Sequence, residues 1–363
     1  MLKSESEMRE YFATMSFNDL CFSYSTMTEF IPDNAHPVKD SRESTSTEVS
    51  LKQASDADTE SSEPSFFFEN HMASSRICPF CGKQSIVKNG HKNHKQRYLC
   101  RSCGKSVVGT TGTIMANSHQ STDNWTIVIN DTISNVAALK TAEKLGISEQ
   151  TVLNMRHKIM LGIQKMDILD PVILGNISEL DETYVLESNK GTKCTDREPR
   201  KRGESASKPG LSNEQVCICT GVERHQGPVM FQSVNRATPS AAEIHEVFDG
   251  HIADDSVVFV DGQKSYNGLN ETMNIELVNA KKDPDKNSHL NNVNSSHSYY
   301  KSVYQHMRGV ATKYINRYNA LLAHTFRSPE GLADYLFARL CSLRNDTGTF
   351  TIRDVRKKDL LYI

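Results

Sequence analysis

The stretch SVVFVDG, Ser256 to Gly262, decides the fold. Val257, Val258, Phe259 and Val260 form an unbroken apolar run. That pattern marks a strand buried on both faces. Asp261 ends the run and Gly262 follows, so the carboxylate emerges at the strand end where open sheets bind ligands. Upstream, NISELDETYVLE (residues 176–187) is a second strand candidate. Alternation puts Asp181 and Glu179 on one face and Glu182 on the other. Two Asp from adjacent strands are a minimal holder for Mg²⁺ and phosphate oxygens.

Further out, the pattern predicts strands at 177–186, 215–223, 228–235 and 256–261, and helices at 239–250, 294–307 and 310–325. This is an α/β domain around a mixed sheet. Residues 187–213 read as a long charged loop. Its Arg197, Arg200, Lys201 and Arg202 are candidate phosphate contacts. On the helix within VNSSHSYYKSVYQHMRG (293–309), Asn294, His297 and Lys301 stand at i, i+3 and i+7 and share a face. In the 310–325 helix, Val310, Tyr314, Ile315, Tyr318, Leu321 and Leu322 read as core.

Toward the N-terminus, Cys78-Pro-Phe-Cys81 and Cys100-Arg-Ser-Cys103 stand in the C-x2-C…C-x2-C spacing of a structural zinc site. Four thiolates close a tetrahedron and leave no open position for catalysis. Between residues 76 and 105 there are eight Lys and Arg and no acid, so this unit suits contact with phosphates. Lys95 and Arg97 are candidates there, and His91 and His94 lie among the cations. Residues 121–165 read as helices. Within 136–160, Gly146 permits a turn, Ser148 N-caps the next helix, and Val152, Met155 and Ile159 face inward. Gln150, Thr151, Asn154, His157 and Lys158 are then expected outward, as in the second helix of a DNA-reading helix-turn-helix.

The formal charge of −2 over 363 residues hides two unlike parts. Residues 1–70 carry 14 acidic and 5 basic residues, a net of −9, which leaves +7 for the remainder. The acidic part, poor in large apolar residues at 33–64, is expected to be largely disordered. No run approaches the roughly 18 apolar residues of a membrane span. MLKSESEMREYF lacks the basic start and apolar core of a signal peptide, so the chain is expected in the cytoplasm. Nine cysteines argue against a complete disulfide framework.

The order of the cysteine unit, TGTIMANSHQSTDNW (111–125), the helix-turn-helix, LDETYV (180–185), VFVDGQKSY (258–266) and NNVNSSHSYYKSVYQHMRGVATKYINRY (291–318) resembles bacterial insertion-sequence transposases of the ISXO type. The resemblance spans roughly residues 70–327. It implies a zinc ribbon at 71–110, a helix-turn-helix DNA-binding domain at 118–170 and an RNase H-like catalytic domain at 175–330. A tail (1–70) and a C-terminal extension (331–363) packing on the catalytic domain complete the chain. It further implies binding of terminal inverted repeats, with metal-dependent cleavage and strand transfer of double-stranded DNA by a homodimer or larger assembly at the nucleoid. The first two catalytic residues match Asp181 and Asp261. The third motif, N-x-x-E or N-x-x-H, matches Asn294 and His297, so the third ligand is Asn294, His297 or both. Structural Zn²⁺ and catalytic Mg²⁺ or Mn²⁺ follow, with Lys301 on a phosphate. Three alternatives remain: a DNA-binding regulator without metal chemistry, an RNase H-type nuclease acting on RNA–DNA hybrids, and a decayed transposase.

Overall fold

Gly82 and Gly104, each just after a cysteine pair, take φ of 68° and 71°. That left-handed turn bends each chain back, with Gly82 N–H on Cys78 O and Gly104 N–H on Cys100 O, both at 2.9 Å. The turns belong to a three-stranded antiparallel sheet of β1 (Ile86–Lys92), β2 (Lys95–Cys100) and β3 (Ser106–Val108), in that order. Ile86, Tyr98 and Val107 are buried with Cys78 and Cys100 as its small core. The computed structural model describes residues 11, 14–16, 76–92, 95–191, 198, 203–282, 285, 287–307, 309–343 and 350–357. Most of the acidic stretch 1–70, His94, and Arg197, Arg200, Lys201 and Arg202 lie outside them. Within that stretch Met15 is buried in the main core.

Three helices follow: α1 (Thr122–Ile133), α2 (Ala138–Leu145) and α3 (Glu149–Leu169). Ser121 caps α1 by accepting from Asn124 N–H, and Ser148 caps α3 by accepting from Thr151 N–H. Gly146, at φ 62°, turns the chain between α2 and α3. Val152, Met155 and Ile159 are buried as the spacing predicts.

The second sheet is built from β4 (Ile177–Leu186), β5 (Gln215–Glu223), β6 (Val229–Arg236), β7 (Ser256–Val260) and β8 (Ile275–Asn279). Helix α4 (Ala241–Phe248) links β6 to β7, and a short α5 (Leu269–Thr272) precedes β8. The order is β6-β5-β4-β7-β8: β4, β5 and β6 pair antiparallel, while β7 runs parallel to both β4 and β8. A strand flanked by parallel neighbours is covered on both faces, which accounts for the unbroken apolar run at 257–260.

One face carries Leu180, Cys217, Cys219, Val258 and Val260, in a core shared with Trp125 of α1 and Ile159 and Ile163 of α3. The helical segment expected as a unit at 118–170 therefore shares its core with the sheet. On the opposite face Val185, Ile218 and Phe231 pack with Val293 and Tyr300 of α6 (Asn291–His306) and Ile315 and Leu322 of α7 (Ile315–Thr325). The extension 331–363, expected on the catalytic domain, places α8 (Leu332–Ser342) against α1 and α3, and α9 (Ile352–Arg356) against α3. Gly162 of α3 allows that approach, because a Cβ there would meet Leu340 Cδ2 at 2.4 Å. Among the described residues no helix is long and apolar enough to cross a membrane.

Candidate active site and metal centre

Parallel pairing aligns Ile177 with Val257, Ser178 with Val258 and Glu179 with Phe259. Two residues further on, β4 carries Asp181 and the chain leaving β7 carries Asp261, so the two carboxylates lie side by side. Asp261 Oδ1 accepts from Gln263 N–H at 2.8 Å, and Lys281 Nζ donates to its Oδ2 at 3.2 Å. His297, buried on α6, brings Nδ1 to 3.9 Å from Asp181 Oδ2, beyond hydrogen-bond reach. Its Nε2 is buried with no partner among the described residues. Asn294 and Lys301 are exposed on the same helix. Of the two candidates for a third ligand, the structure brings His297 against Asp181 and leaves Asn294 facing solvent.

Burial pushes Asp181 up to about 6; a bond from the Glu182 backbone opposes the rise, and the Asp261 charge adds to it. Burial holds His297 down at about 4, with Lys301 repelling a further proton. On the opposite face, burial raises Glu182 to about 7, helped by Asp181 and Asp261. Glu182 is a buried carboxylate that the sequence pattern did not single out for chemistry.

Beneath the carboxylates lies a network whose signal in the sequence was only Glu179's place on the Asp181 face. Glu179 is fully buried. It accepts from Arg224 Nε at 2.7 Å, Asn292 Nδ2 at 2.8 Å and Val293 N–H at 3.0 Å.

The four thiols of Cys78, Cys81, Cys100 and Cys103 lie within 4.8 Å of one another. Cys78 and Cys103 are 3.7 Å apart at sulfur, as are Cys81 and Cys100. A tetrahedron with Zn–S of about 2.3 Å has edges of about 3.8 Å, so the four fit zinc. Among the described residues Asp181, Asp261 and His297 are not drawn together to the cysteine spacing.

Of the DNA-reading candidates, Lys95 and Gln150 are exposed, Arg97 is partly exposed, and Thr151 and Asn154 are half-buried. Gln150 Nε2 bonds Asn154 Oδ1 at 3.2 Å. Lys158 does not face outward as its place on the helix predicts. It is buried, with Nζ donating to Ala116 O at 3.1 Å. His157 likewise turns inward, its ring 4.9 Å from that of Tyr314. The segment before α1 and the elements around α7 cover a helix face that looks outward when α3 is read alone.

A family model described as an ISXO2-like transposase domain matches residues 173–327, the segment that holds the mixed sheet, both Asp and α6. This segment is similar to ISXO2-like transposase domains. A curated relative, an uncharacterized protein in transposable element ISH50 of Halobacterium salinarum, is 25% identical over 196 residues. The match covers 53% of this chain, and the chain spans 64% of that relative's length. Among solved structures, a pre-cleavage Mos1 transpososome aligns over 95% of this chain and 99% of that one, at 10% identity and a TM-score of 0.26. The Mos1 strand transfer complex aligns over 62% and 79%, at 13% identity and a TM-score of 0.27.

Proposed function

We propose that the chain is the DNA transposase of an insertion sequence, cutting and joining double-stranded DNA at the element's ends through a divalent metal held by Asp181 and Asp261. The observation that carries this reading is the pair of aspartates at adjoining strand ends, facing His297, within a segment that matches a transposase domain. The mixed sheet with carboxylates at its strand ends supports an RNase H-like catalytic domain. The ISH50 relative, by its name, belongs to a transposable element.

The residues present fit a hard divalent ion: two carboxylates supply charge, and the unpartnered Nε2 marks His297 as a polar side chain awaiting a role. When bound, Mg²⁺ or Mn²⁺ supplies Lewis acidity and activation of the attacking oxygen. His297, neutral at working pH because burial lowers it to about 4, offers a lone pair and adds no repelling charge. The ammonium of Lys281 offsets the charge of Asp261. Lys301 sits exposed along the same helix, where it can hold a phosphate oxygen as a point charge. Cys78, Cys81, Cys100 and Cys103 hold structural Zn²⁺, which stiffens a basic ribbon. Its Lys95 and Arg97, with Gln150, Thr151 and Asn154 at the start of α3, contact DNA. Work on paired ends calls for a homodimer or larger assembly.

Purified zinc-loaded protein tests this on linear DNA carrying the element's inverted repeats. Strand cleavage at the repeat boundary is expected with Mg²⁺ or Mn²⁺ and none with a chelator that spares the zinc. Specific binding without cleavage under every metal condition would instead favour a regulator or a decayed enzyme.

A further inference from the structure

The helix that carries His297 has only a long local bond at its start, His289 Nδ1 accepting from Asn291 N–H at 3.5 Å. Leu290 occupies the N-cap position of α6 and makes no side-chain bond to the helix. The free backbone donors there need an acceptor from elsewhere. Glu179, from β4, supplies it. One carboxylate oxygen accepts from Val293 N–H and the other from the Asn292 side chain. Val293 and His297 stand at i and i+4, so the bonded turn and the histidine share one face of α6. Glu179 in turn is two residues before Asp181 on the same face of β4.

Arg224 closes the arrangement. It pairs with Glu179 at 2.7 Å, donates to His289 O at 2.7 Å just before α6, and lays its guanidinium 4.4 Å from the ring centre of Phe259. Phe259 is two residues before Asp261 and is the register partner of Glu179. One buried ion pair therefore touches all three elements that bear the candidate site: β4, β7 and the entry to α6. Both partners are buried, Glu179 at 0% and Arg224 at 8% exposure. A buried charge pair of this kind is poor evidence for stability and better suited to fixing one arrangement.

We propose that Glu179, braced by Arg224, is a positioning residue that locks the register of α6 against β4 and so holds His297 against the Asp181–Asp261 pair. This rests on the metal-dependent reading given above.

The test is a double-substitution cycle in Mn²⁺ affinity, read by electron paramagnetic resonance on the zinc-loaded full chain. Glu179→Gln, which keeps the shape and removes the charge, is expected to weaken Mn²⁺ about 10–100-fold, as loss of a partner behind a metal ligand does. His297→Ala is expected to weaken it comparably. In the His297→Ala background, Glu179→Gln is then expected to cost nothing more, because its effect runs through His297. DNA affinity stays unchanged in both. Should Glu179→Gln fail to fold by circular dichroism, Asn292→Ala takes its place in the same cycle. Losses that multiply independently, or Mn²⁺ affinity as in wild type for the substituted chain, would overturn the positioning role. Wild-type Mn²⁺ binding that survives Asp181→Asn would overturn the metal reading itself and this proposal with it.

Discussion

Replacing Gly262 with Ala tests how tightly the turn after Asp261 is built. Gly262 has φ 85°, where a side chain costs about 1–2 kcal/mol. An added Cβ would also lie 2.3 Å from Asn279 Nδ2, 2.8 Å from its Oδ1 and 2.9 Å from its Cγ. The whole amide must therefore shift. It is not free to do so, because Asn279 Oδ1 accepts from Lys281 N–H at 3.1 Å, and Lys281 is the residue that pairs with Asp261. Overpacking of this kind costs a further 1–3 kcal/mol or so. Together the two terms predict a loss of about 2–5 kcal/mol. Urea unfolding would show it as a lower midpoint at unchanged slope. Adding Asn279→Ala should restore the overlap share and leave only the backbone share. Metal-dependent cleavage should fall in the single variant, since the turn aims the Asp261 carboxylate. A loss under about 0.5 kcal/mol, the range of an ordinary surface change, would mean that the turn is not tightly built.

Other outcomes follow from the same geometry. Cys100→Ser should lose bound zinc and the fold of the three-stranded sheet, seen by zinc content and circular dichroism. Lys158→Met should leave DNA affinity unchanged yet lower stability by about 1–3 kcal/mol, because Ala116 O loses its donor; Gln150→Ala should do the reverse. His157 has its pKa lowered by burial from 6.5 to about 4. The unfolded chain then binds the extra proton between those values. Its contribution to stability is full above pH 6.5 and is lost as pH falls toward 4, by at most about 3 kcal/mol. His157→Phe should flatten that part of a denaturation-versus-pH curve.

Local pattern was enough wherever one element determines its own surroundings. The run 257–260 announces a strand covered on both sides, and the two Cys-x-x-Cys knuckles announce their site through spacing and glycine alone. Strand β8 was missed because IELVN is short and only half-buried, so it carries neither a continuous nor a clean alternating signal. The outward reading of Lys158 failed for a different reason. A helical wheel shows which residues share a face, but not how many faces the rest of the chain will cover, and α3 is covered by α1, α2, α7, α8 and α9. The Glu179–Arg224 pair was out of reach because its members are 45 residues apart and meet only through the pairing of β4 with β5. For the third ligand, spacing put Asn294 and His297 on one side of the helix. Only the packing of α6 on the sheet separates the buried one from the exposed one.

In the proposed function, Asp181 and Asp261 together carry metal-dependent chemistry on DNA. Single-turnover cleavage of inverted-repeat DNA by Asp181→Asn and Asp261→Asn, each compared with wild type at saturating Mg²⁺, tests it most directly. Both variants are expected to bind the repeat with wild-type affinity and make no cut. Cleavage at the wild-type rate by either one would contradict it.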